Sequence, residues 1–195
     1  MSPGSAWPYV KALLVVIADP EDTRLPPDAH TSLNGLAVQF VSVDQEIVAA
    51  ERRIHAQHRS NPVSQRLETV PGIGPIIATA MAASVTDPAI FRSGRGLAAW
   101  IGLVPKQTST GGKQRLGRIS KQGDPYLRWL LVAGAMSVIR QAKRRGTSNL
   151  PWLDQLIANK PTKVAAVALA NKMARIAWVL LMRGGTYRKP ATGAA

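Results

Sequence analysis

The positive charge of this chain is concentrated in its second half, which limits what that half can bury. The 195 residues carry 25 Lys and Arg against 11 Asp and Glu, giving a formal net charge of +14. Residues 1–100 hold eight basic residues and nine acids, whereas residues 101–195 hold seventeen and two. Like charges at this density repel one another unless a polyanion neutralises them. The second half is therefore predicted to present a basic surface to nucleic acid; a solvated face that only maintains solubility is the alternative.

The composition excludes several classes of protein. The chain has no Cys, which rules out disulfide scaffolds and thiolate metal sites. Hydrophobic residues make up 46% of the chain, enough for a core, yet no apolar run reaches the ~18 residues of a membrane span. We expect a cytoplasmic protein with no signal peptide and no membrane contact.

Few segments are typical of strands, so the sequence predicts a mainly α fold. Apolar residues from Leu36 to Ile54 recur at spacings of 4, 3, 4, 3 and 4, the seam of a helix that packs against another long helix. We interpret residues 1–60 as a long helical or coiled-coil arm and expect it to form a homo-oligomer, most simply a dimer. Residues 61–190 are interpreted as a compact helical domain and residues 191–195 as a disordered tail.

Two apolar stripes predict long helices in the compact domain, from Pro125 to about Arg145 and from about Thr162 to Arg183. The stripe residues include Leu127, Leu130, Leu131, Ala135 and Val138 in the first helix, and Val164, Val167, Ala168, Ile176, Val179 and Leu180 in the second. We expect three tryptophans to lie in the core and not to stack on bases: Trp129, Trp152 and Trp178.

The segment from Leu67 to Ala78 has the form of a helix-hairpin-helix. Gly72 and Gly74 form a Gly-x-Gly turn between two apolar stretches. Such glycines allow a tight turn and expose backbone amides at a helix N-terminus, where a DNA phosphate can dock. The alternative is a tight turn that serves only the packing of the two helices.

The segment from Lys106 to Asp124 is predicted as an irregular, basic, glycine-containing loop. Its hydroxyl cluster around Ser109 is followed by Gly111 and Gly112. A serine can attack a phosphodiester when cations stabilise the transition state, so Ser109 and Ser120 are candidate nucleophiles, but a loop that only grips phosphate has the same composition. The candidate nucleic-acid contacts of this segment and the helix after it are Lys106, Gly111, Gly112, Lys113, Arg115, Arg118, Lys121 and Arg128.

Other catalytic constellations do not fit. The chain has neither a Gly-x-Ser-x-Gly elbow nor the phosphate-binding loop of nucleoside triphosphatases. The basic half has only two acids, Asp124 and Asp154, too few for a complete nuclease metal site. His55 and His58 have a spacing that could hold a metal, but nothing completes the set, so we interpret them as solvated or packed and predict no metal site.

Several motifs occur in an order that resembles the C-terminal transposase domain of the insertion-sequence 110/1111 family, also described as the insertion sequence 116/110/902 group. The resemblance runs from about Arg66 to Arg188, and the preceding stretch is similar to the coiled-coil linker of those proteins. The motifs are Val70–Gly74, Trp100–Pro105, Ser109–Lys113, Gly117–Arg128, Lys160–Ala165 and Ala170–Lys172.

This resemblance implies DNA transposition by a recombinase whose serine forms a covalent phosphoserine link with DNA. It also implies a structured guide RNA that pairs with donor and target DNA. The nucleophile carries over to Ser109, or to Thr110 when the alignment is counted from Pro105.

In the family, an RNase H-like domain contributes an Asp-Glu-Asp-Asp set that binds Mg²⁺, and these 195 residues do not contain it. Four acids in the proline-rich segment before Leu36 lack the strands that would aim them at metal ions. We therefore expect an N-terminally truncated transposase, inactive alone, with no cofactor of its own and with Mg²⁺ only when the acidic domain is present. A non-enzymatic nucleic-acid-binding protein is the alternative. The four acids are Asp19, Glu21, Asp22 and Asp28.

Overall fold

The computed structural model describes residues 7–19, 22, 24–110, 113–146 and 150–188. The chain divides into two compact units, Met1–Arg53 and Ile54–Ala195. Within the described ranges the fold is mainly α, as predicted, with one small two-stranded sheet.

The first unit contains helix α1, Trp7–Ala18, and most of helix α2, Pro27–Ser60. Proline fixes a helical φ at the first position of α2, and the Asp28 carboxylate lies in the first turn, where the helix dipole favours negative charge. The helix predicted from Leu36 to Ile54 is confirmed as part of α2. Three residues of its seam are more than half exposed: Leu36, Val43 and Ile47.

The second unit begins with the end of α2 and two short helices, α3 (Pro62–Glu68) and α4 (Pro75–Ser84). Asn61 separates α2 from α3, because its side chain accepts hydrogen bonds from the amides of Val63 and Ser64 at 2.9 and 3.1 Å. This is the N-cap arrangement that satisfies the first amides of a helix.

The remaining elements follow in chain order. They are a 3-10 turn (Pro88–Ile90), α5 (Gly94–Trp100), β1 (Pro105–Thr110), β2 (Lys113–Ile119), α6 (Pro125–Arg145), α7 (Pro151–Asn159) and α8 (Thr162–Arg183). The two long helices predicted from the apolar stripes are confirmed at these bounds. Helix α7 lies in a stretch that the sequence did not predict as a helix.

Helix α8 is the centre of the second unit and packs against α3, α5, α6 and α7. By length and composition α8 could cross a membrane. Its apolar face is instead used in this core, where the small side chains of an alanine-rich stripe let neighbouring helices approach closely. The buried residues of α8 are Ala165, Ala166, Leu169, Ala170, Met173, Ala174, Ala177 and Leu180.

The turn between α3 and α4 lies directly against α6. A Cβ on Gly134 of α6 would come within 2.1 Å of the carbonyl oxygen of Gly72. Gly72 has a φ of +91°, and a Cβ there would meet Val138 Cγ2 at 2.9 Å. Both positions therefore require glycine, one for helix packing and one for packing and backbone conformation.

Several residues expected in the core are exposed. Trp129 is 63% exposed and Trp152 is 39% exposed, so the core prediction is wrong for these two tryptophans. Val164 and Val179 of the second stripe are also exposed. Trp178 is half-buried against the core, and its Nε1 donates a hydrogen bond to the Pro88 carbonyl at 3.1 Å.

Candidate nucleic-acid interface

The segment predicted as an irregular loop is largely a β-hairpin, so that part of the prediction is wrong. Strand β1 pairs antiparallel with β2, and the register places Ser109 opposite Gln114 and Thr110 opposite Lys113. Gly111 and Gly112 lie outside the described residues, as do the side chains of residues 108–116, which include Ser109, Thr110, Lys113 and Arg115.

A bulge interrupts the hairpin near its base. Pro105 pairs with Ile119 and Gln107 pairs with Leu116, so β2 has one more residue than β1 between these pairs. The pairing then continues beyond the strands, since the Ser120 amide donates to the Val104 carbonyl at 2.9 Å. Bulges of this kind increase the local twist and turn the strand ends relative to the rest of the sheet.

Glycine allows the two ends of the hairpin to meet at the start of α6. A Cβ on Gly123 would lie 1.6 Å from the Trp100 carbonyl oxygen, and one on Gly102 would lie 2.0 Å from the Gln122 carbonyl oxygen. Both glycines have positive φ values, +87° and +82°. The next residue, Asp124, caps α6 by accepting hydrogen bonds from the amides of its first turn.

Arg128 holds this junction together. Its Nη1 donates to the Ile101 carbonyl at 2.9 Å and to the Gln122 carbonyl at 3.4 Å, one from each side of the hairpin. The side chain is half-buried. The geometry gives Arg128 a positioning role at the base of the hairpin, and its contact with nucleic acid stays a prediction.

Three cations form an exposed surface near this base, which we call the hairpin surface: Lys106, Arg118 and Lys121. Lys121 has a φ of +56°, a left-handed conformation that is uncommon for a residue with a side chain. Its amide donates to the Gly102 carbonyl at 3.2 Å, which fixes this conformation. Ser120, beside it, is partly buried. Exposed Lys and Arg side chains can contact phosphates without reading bases.

The predicted phosphate-binding glycines, Gly72 and Gly74, have different surroundings. Gly72 is used in packing against α6, as described above. Gly74 precedes α4 and has an extended backbone, and a Cβ there would meet nothing within 4 Å. At Gly72 the turn therefore serves helix packing, which was the alternative interpretation. A phosphate contact at Gly74 stays a prediction.

A polar cluster around the buried His58 and Ser64 joins the end of α2 to α3 and α4. His58 Nδ1 lies 2.7 Å from Ser64 Oγ, and His58 Nε2 lies 2.9 Å from Glu68 Oε2. Ser64 Oγ is also 3.2 Å from Thr79 Oγ1. Although the residue types are those of a hydrolase triad, Ser64 is 0% exposed, so no substrate reaches its hydroxyl. The cluster fixes three helices, and His58 is packed as expected, whereas His55 is exposed.

The described residues do not fit a magnesium site. They contain no group of three His, Asp or Glu side chains that could hold a metal ion. Of the acids near the start of the chain, Asp22 forms an ion pair with Arg24, whose hydrogen bonds lower the pKa of Asp22 to about 2. Glu21 lies outside the described residues.

Comparison with known proteins identifies a transposase domain in this second unit. Residues 64–149 match the family described as "Transposase IS116/IS110/IS902 family" and belong to it. The match includes α4, α5, the hairpin and α6, together with the Ser120–Asp124 junction that positions the hairpin.

Transposases from several bacteria are similar to most of this chain. A Pseudomonas aeruginosa protein named "Probable family 20 transposase" is 48% identical over 91% of the chain and 52% of its own length. The transposase for insertion sequence element IS1111A of Coxiella burnetii is 39% identical over 92% of the chain and 49% of its own length. The transposase for IS1328 of Yersinia enterocolitica is 37% identical over 87% and 51%. The chain thus spans about half the length of these curated relatives.

The role of Arg128 is testable by substitution. We expect Arg128→Met to destabilise the chain by about 1–3 kcal/mol, because the carbonyl of the buried Ile101 and that of the exposed Gln122 lose their donor while the aliphatic stem is kept. Amide hydrogen exchange at Ser120 and Lys121 should become faster, since the hairpin base is then held by fewer bonds. Arg118→Met is the matched control and should change neither quantity appreciably. Unchanged exchange in Arg128→Met would show that Arg128 does not hold the junction.

Proposed function

We propose that this chain acts in DNA transposition, as the DNA-binding and serine-bearing part of an RNA-guided transposase. The observation that carries this proposal is the basic hairpin, anchored to the core at Gly102, Gly123 and Arg128, inside the transposase domain. The proposed place of action is the cytoplasm.

Charge supports DNA as the partner of the hairpin surface. From Lys106 to Arg145 the chain has ten basic residues and a single acid, Asp124. That acid caps α6 and so faces backbone amides. A phosphate backbone would neutralise the excess charge, and the release of its counterions would add to the affinity.

The proposed nucleophile is Ser109, which lies in β1 one residue before the last described pair of the hairpin. Its oxygen would form a bond to phosphorus while one bridging P–O bond of the DNA breaks. The hydroxyl proton would be lost to a base, and the departing sugar oxygen would take up a proton. The number of phosphodiester bonds is conserved, so the phosphoserine link can later be reversed by a DNA hydroxyl.

Binding to duplex DNA should depend steeply on salt. We expect the logarithm of the affinity to fall linearly with the logarithm of salt concentration, with a slope that corresponds to roughly 5–8 phosphates. The double variant Arg118→Gln/Lys121→Gln should reduce the slope by about two and weaken binding to all sequences alike, because phosphate contacts carry no sequence information. Fluorescence anisotropy at several salt concentrations measures both quantities.

The matched control removes the same charge from α2. Arg52→Gln/Arg53→Gln should leave the slope unchanged, because these exposed residues do not belong to the hairpin surface. Equal losses in the two double variants would mean that only net charge matters, and an affinity independent of salt would refute phosphate binding altogether.

Covalent chemistry separates the transposase proposal from a purely binding protein. We expect the chain alone to leave DNA intact. With a separately expressed RNase H-like domain, Mg²⁺, a cognate guide RNA and DNA containing a labelled phosphate, label should become attached to this chain on a denaturing gel. Ser109→Ala should abolish the adduct but keep DNA binding within about fivefold, since one hydroxyl contributes about 1 kcal/mol.

Two further variants test the position of the nucleophile. Thr110→Val and Ser120→Ala should both still form the adduct. If one of them loses it while Ser109→Ala keeps it, the chemistry is right and the residue is wrong. If even the unmodified chain forms no adduct in the complete mixture, the chain is a nucleic-acid-binding protein without this reaction.

We also propose that the exposed seam of α2 makes the chain a homo-oligomer, most simply a dimer. Val43→Asp or Ile47→Asp should shift the sedimentation of the chain at micromolar concentration to that of a monomer, because each places a carboxylate in an apolar contact. Gln45→Asp adds the same charge on the opposite side of the helix and should have no effect. A monomer before any substitution would contradict the proposal.

A further inference from the structure

A second basic surface lies between α5, α7 and α8 and shares no residue with the hairpin surface. It is a groove of about 800 Å³, which we call the α7–α8 groove. We propose that this groove binds an unpaired nucleotide of single-stranded nucleic acid, with the base stacked on Trp152 and the phosphate held by cations. The residues that carry the argument are Arg95, Trp152, Asn171, Lys172, Arg175 and Trp178.

Every charged side chain that lines the groove is basic. Arg95 comes from α5, and Lys172 and Arg175 come from successive turns of one face of α8. Arg95 and Arg175 are exposed and Lys172 is half-buried. Three cations around one cavity favour an anionic ligand, and guanidinium groups match the geometry of phosphate oxygens.

The groove also offers an aromatic face. Trp152 is 39% exposed, and the Lys172 ammonium lies 4.1 Å from the centre of its ring. The ammonium therefore covers one face of the indole, and a partner that stacks there must displace it. A base could take that place while the flexible Lys172 stem turns its ammonium towards the phosphate, because bases stack on aromatic rings regardless of sequence.

The walls of the groove are held by internal contacts and are therefore formed before a ligand binds. Gly94 of α5 packs so closely on α8 that a Cβ there would lie 2.9 Å from the Arg175 carbonyl oxygen. Asn171 donates from Nδ2 to the Leu103 carbonyl at 3.1 Å, and Trp178 is fixed by its bond to Pro88. A preformed site avoids much of the ordering cost of binding.

The shape of the site favours an unpaired nucleotide over a duplex. In a duplex, the faces of the bases are covered by their neighbours and cannot stack on an indole. A base that lies outside a stack presents its whole face. This assignment goes beyond the proposed function and depends on it only in that the domain meets nucleic acid.

Binding of 15-nucleotide oligouridines tests the proposal. Trp152→Leu, which keeps apolar volume but has no ring to stack on, should weaken binding about five- to hundredfold. Trp152→Phe keeps a ring and should restore most of the affinity. Arg175→Gln should weaken binding through the phosphate. Tyr9→Ala removes an exposed aromatic ring from α1 and serves as the control, with no expected change.

An abasic oligonucleotide of the same length separates stacking from charge. It should bind Trp152→Leu and the unmodified chain equally, while Arg175→Gln should still bind it more weakly. Oligouridines with ribose and with deoxyribose show whether the natural ligand strand is RNA or DNA, since only the 2′-hydroxyl differs. Oligouridine binding by Trp152→Leu as tight as that of the unmodified chain would overturn the proposal, as would an equal loss with the abasic strand.

The two proposals can fail separately. Arg118→Gln/Lys121→Gln should weaken duplex binding and leave the loss caused by Trp152→Leu unchanged. If the hairpin variant binds duplex DNA as tightly as the unmodified chain, but Trp152→Leu still loses affinity for oligouridine, the hairpin proposal is wrong and the groove proposal is supported. Circular dichroism of each variant confirms that the helices are intact before affinities are compared.

Discussion

The close approach of two backbone segments at the start of α6 sets the position of the candidate site. Gly102 and Gly123 have no Cβ, so the segments before β1 and after β2 can touch, and the Arg128 guanidinium then bonds a carbonyl from each. The guanidinium donates hydrogen bonds to these two carbonyl groups, which lie outside the paired strands. Any residue larger than glycine at either place would force these two backbone segments apart.

The sequence predicts the elements that bury an apolar stripe and misses those that do not. Helices α6 and α8 are long and begin at Pro125 and Thr162, so their periodic apolar residues are sufficient to predict them. The hairpin is polar on both strands and has no apolar alternation, so its strands resemble a loop. Its one sequence signal is a pair of consecutive glycines, Gly111 and Gly112, after a segment that contains two threonines. The cluster of His58, Ser64 and Glu68 crosses a helix break, and no spacing rule predicts it.

The core prediction for the tryptophans was based on residue type, and helical spacing gives a better prediction for Trp129. Trp129 lies two residues from both Leu127 and Leu131, which are buried. Residues two apart on a helix point in opposite directions, so the same stripe that predicts α6 places Trp129 outside the core. Trp152 precedes the buried Leu153 by one residue in a helix that the sequence did not predict. The exposure of Trp152 and the groove that it lines depend on how α7 packs against α8. This tertiary packing cannot be predicted from the local sequence.

The excess positive charge is compatible with a stable fold because the apolar and basic residues of this half are separated within each helix. In α8 the buried stripe is largely alanine, while Lys172 and Arg175 lie at the groove. The hairpin surface and the α7–α8 groove then differ in chemistry. The first offers exposed cations, which suit a phosphate backbone, whereas the second adds an indole, on which a base can stack. A reaction that exchanges DNA strands passes through both paired and unpaired nucleic acid, and one domain with these two surfaces could hold each form at a separate place.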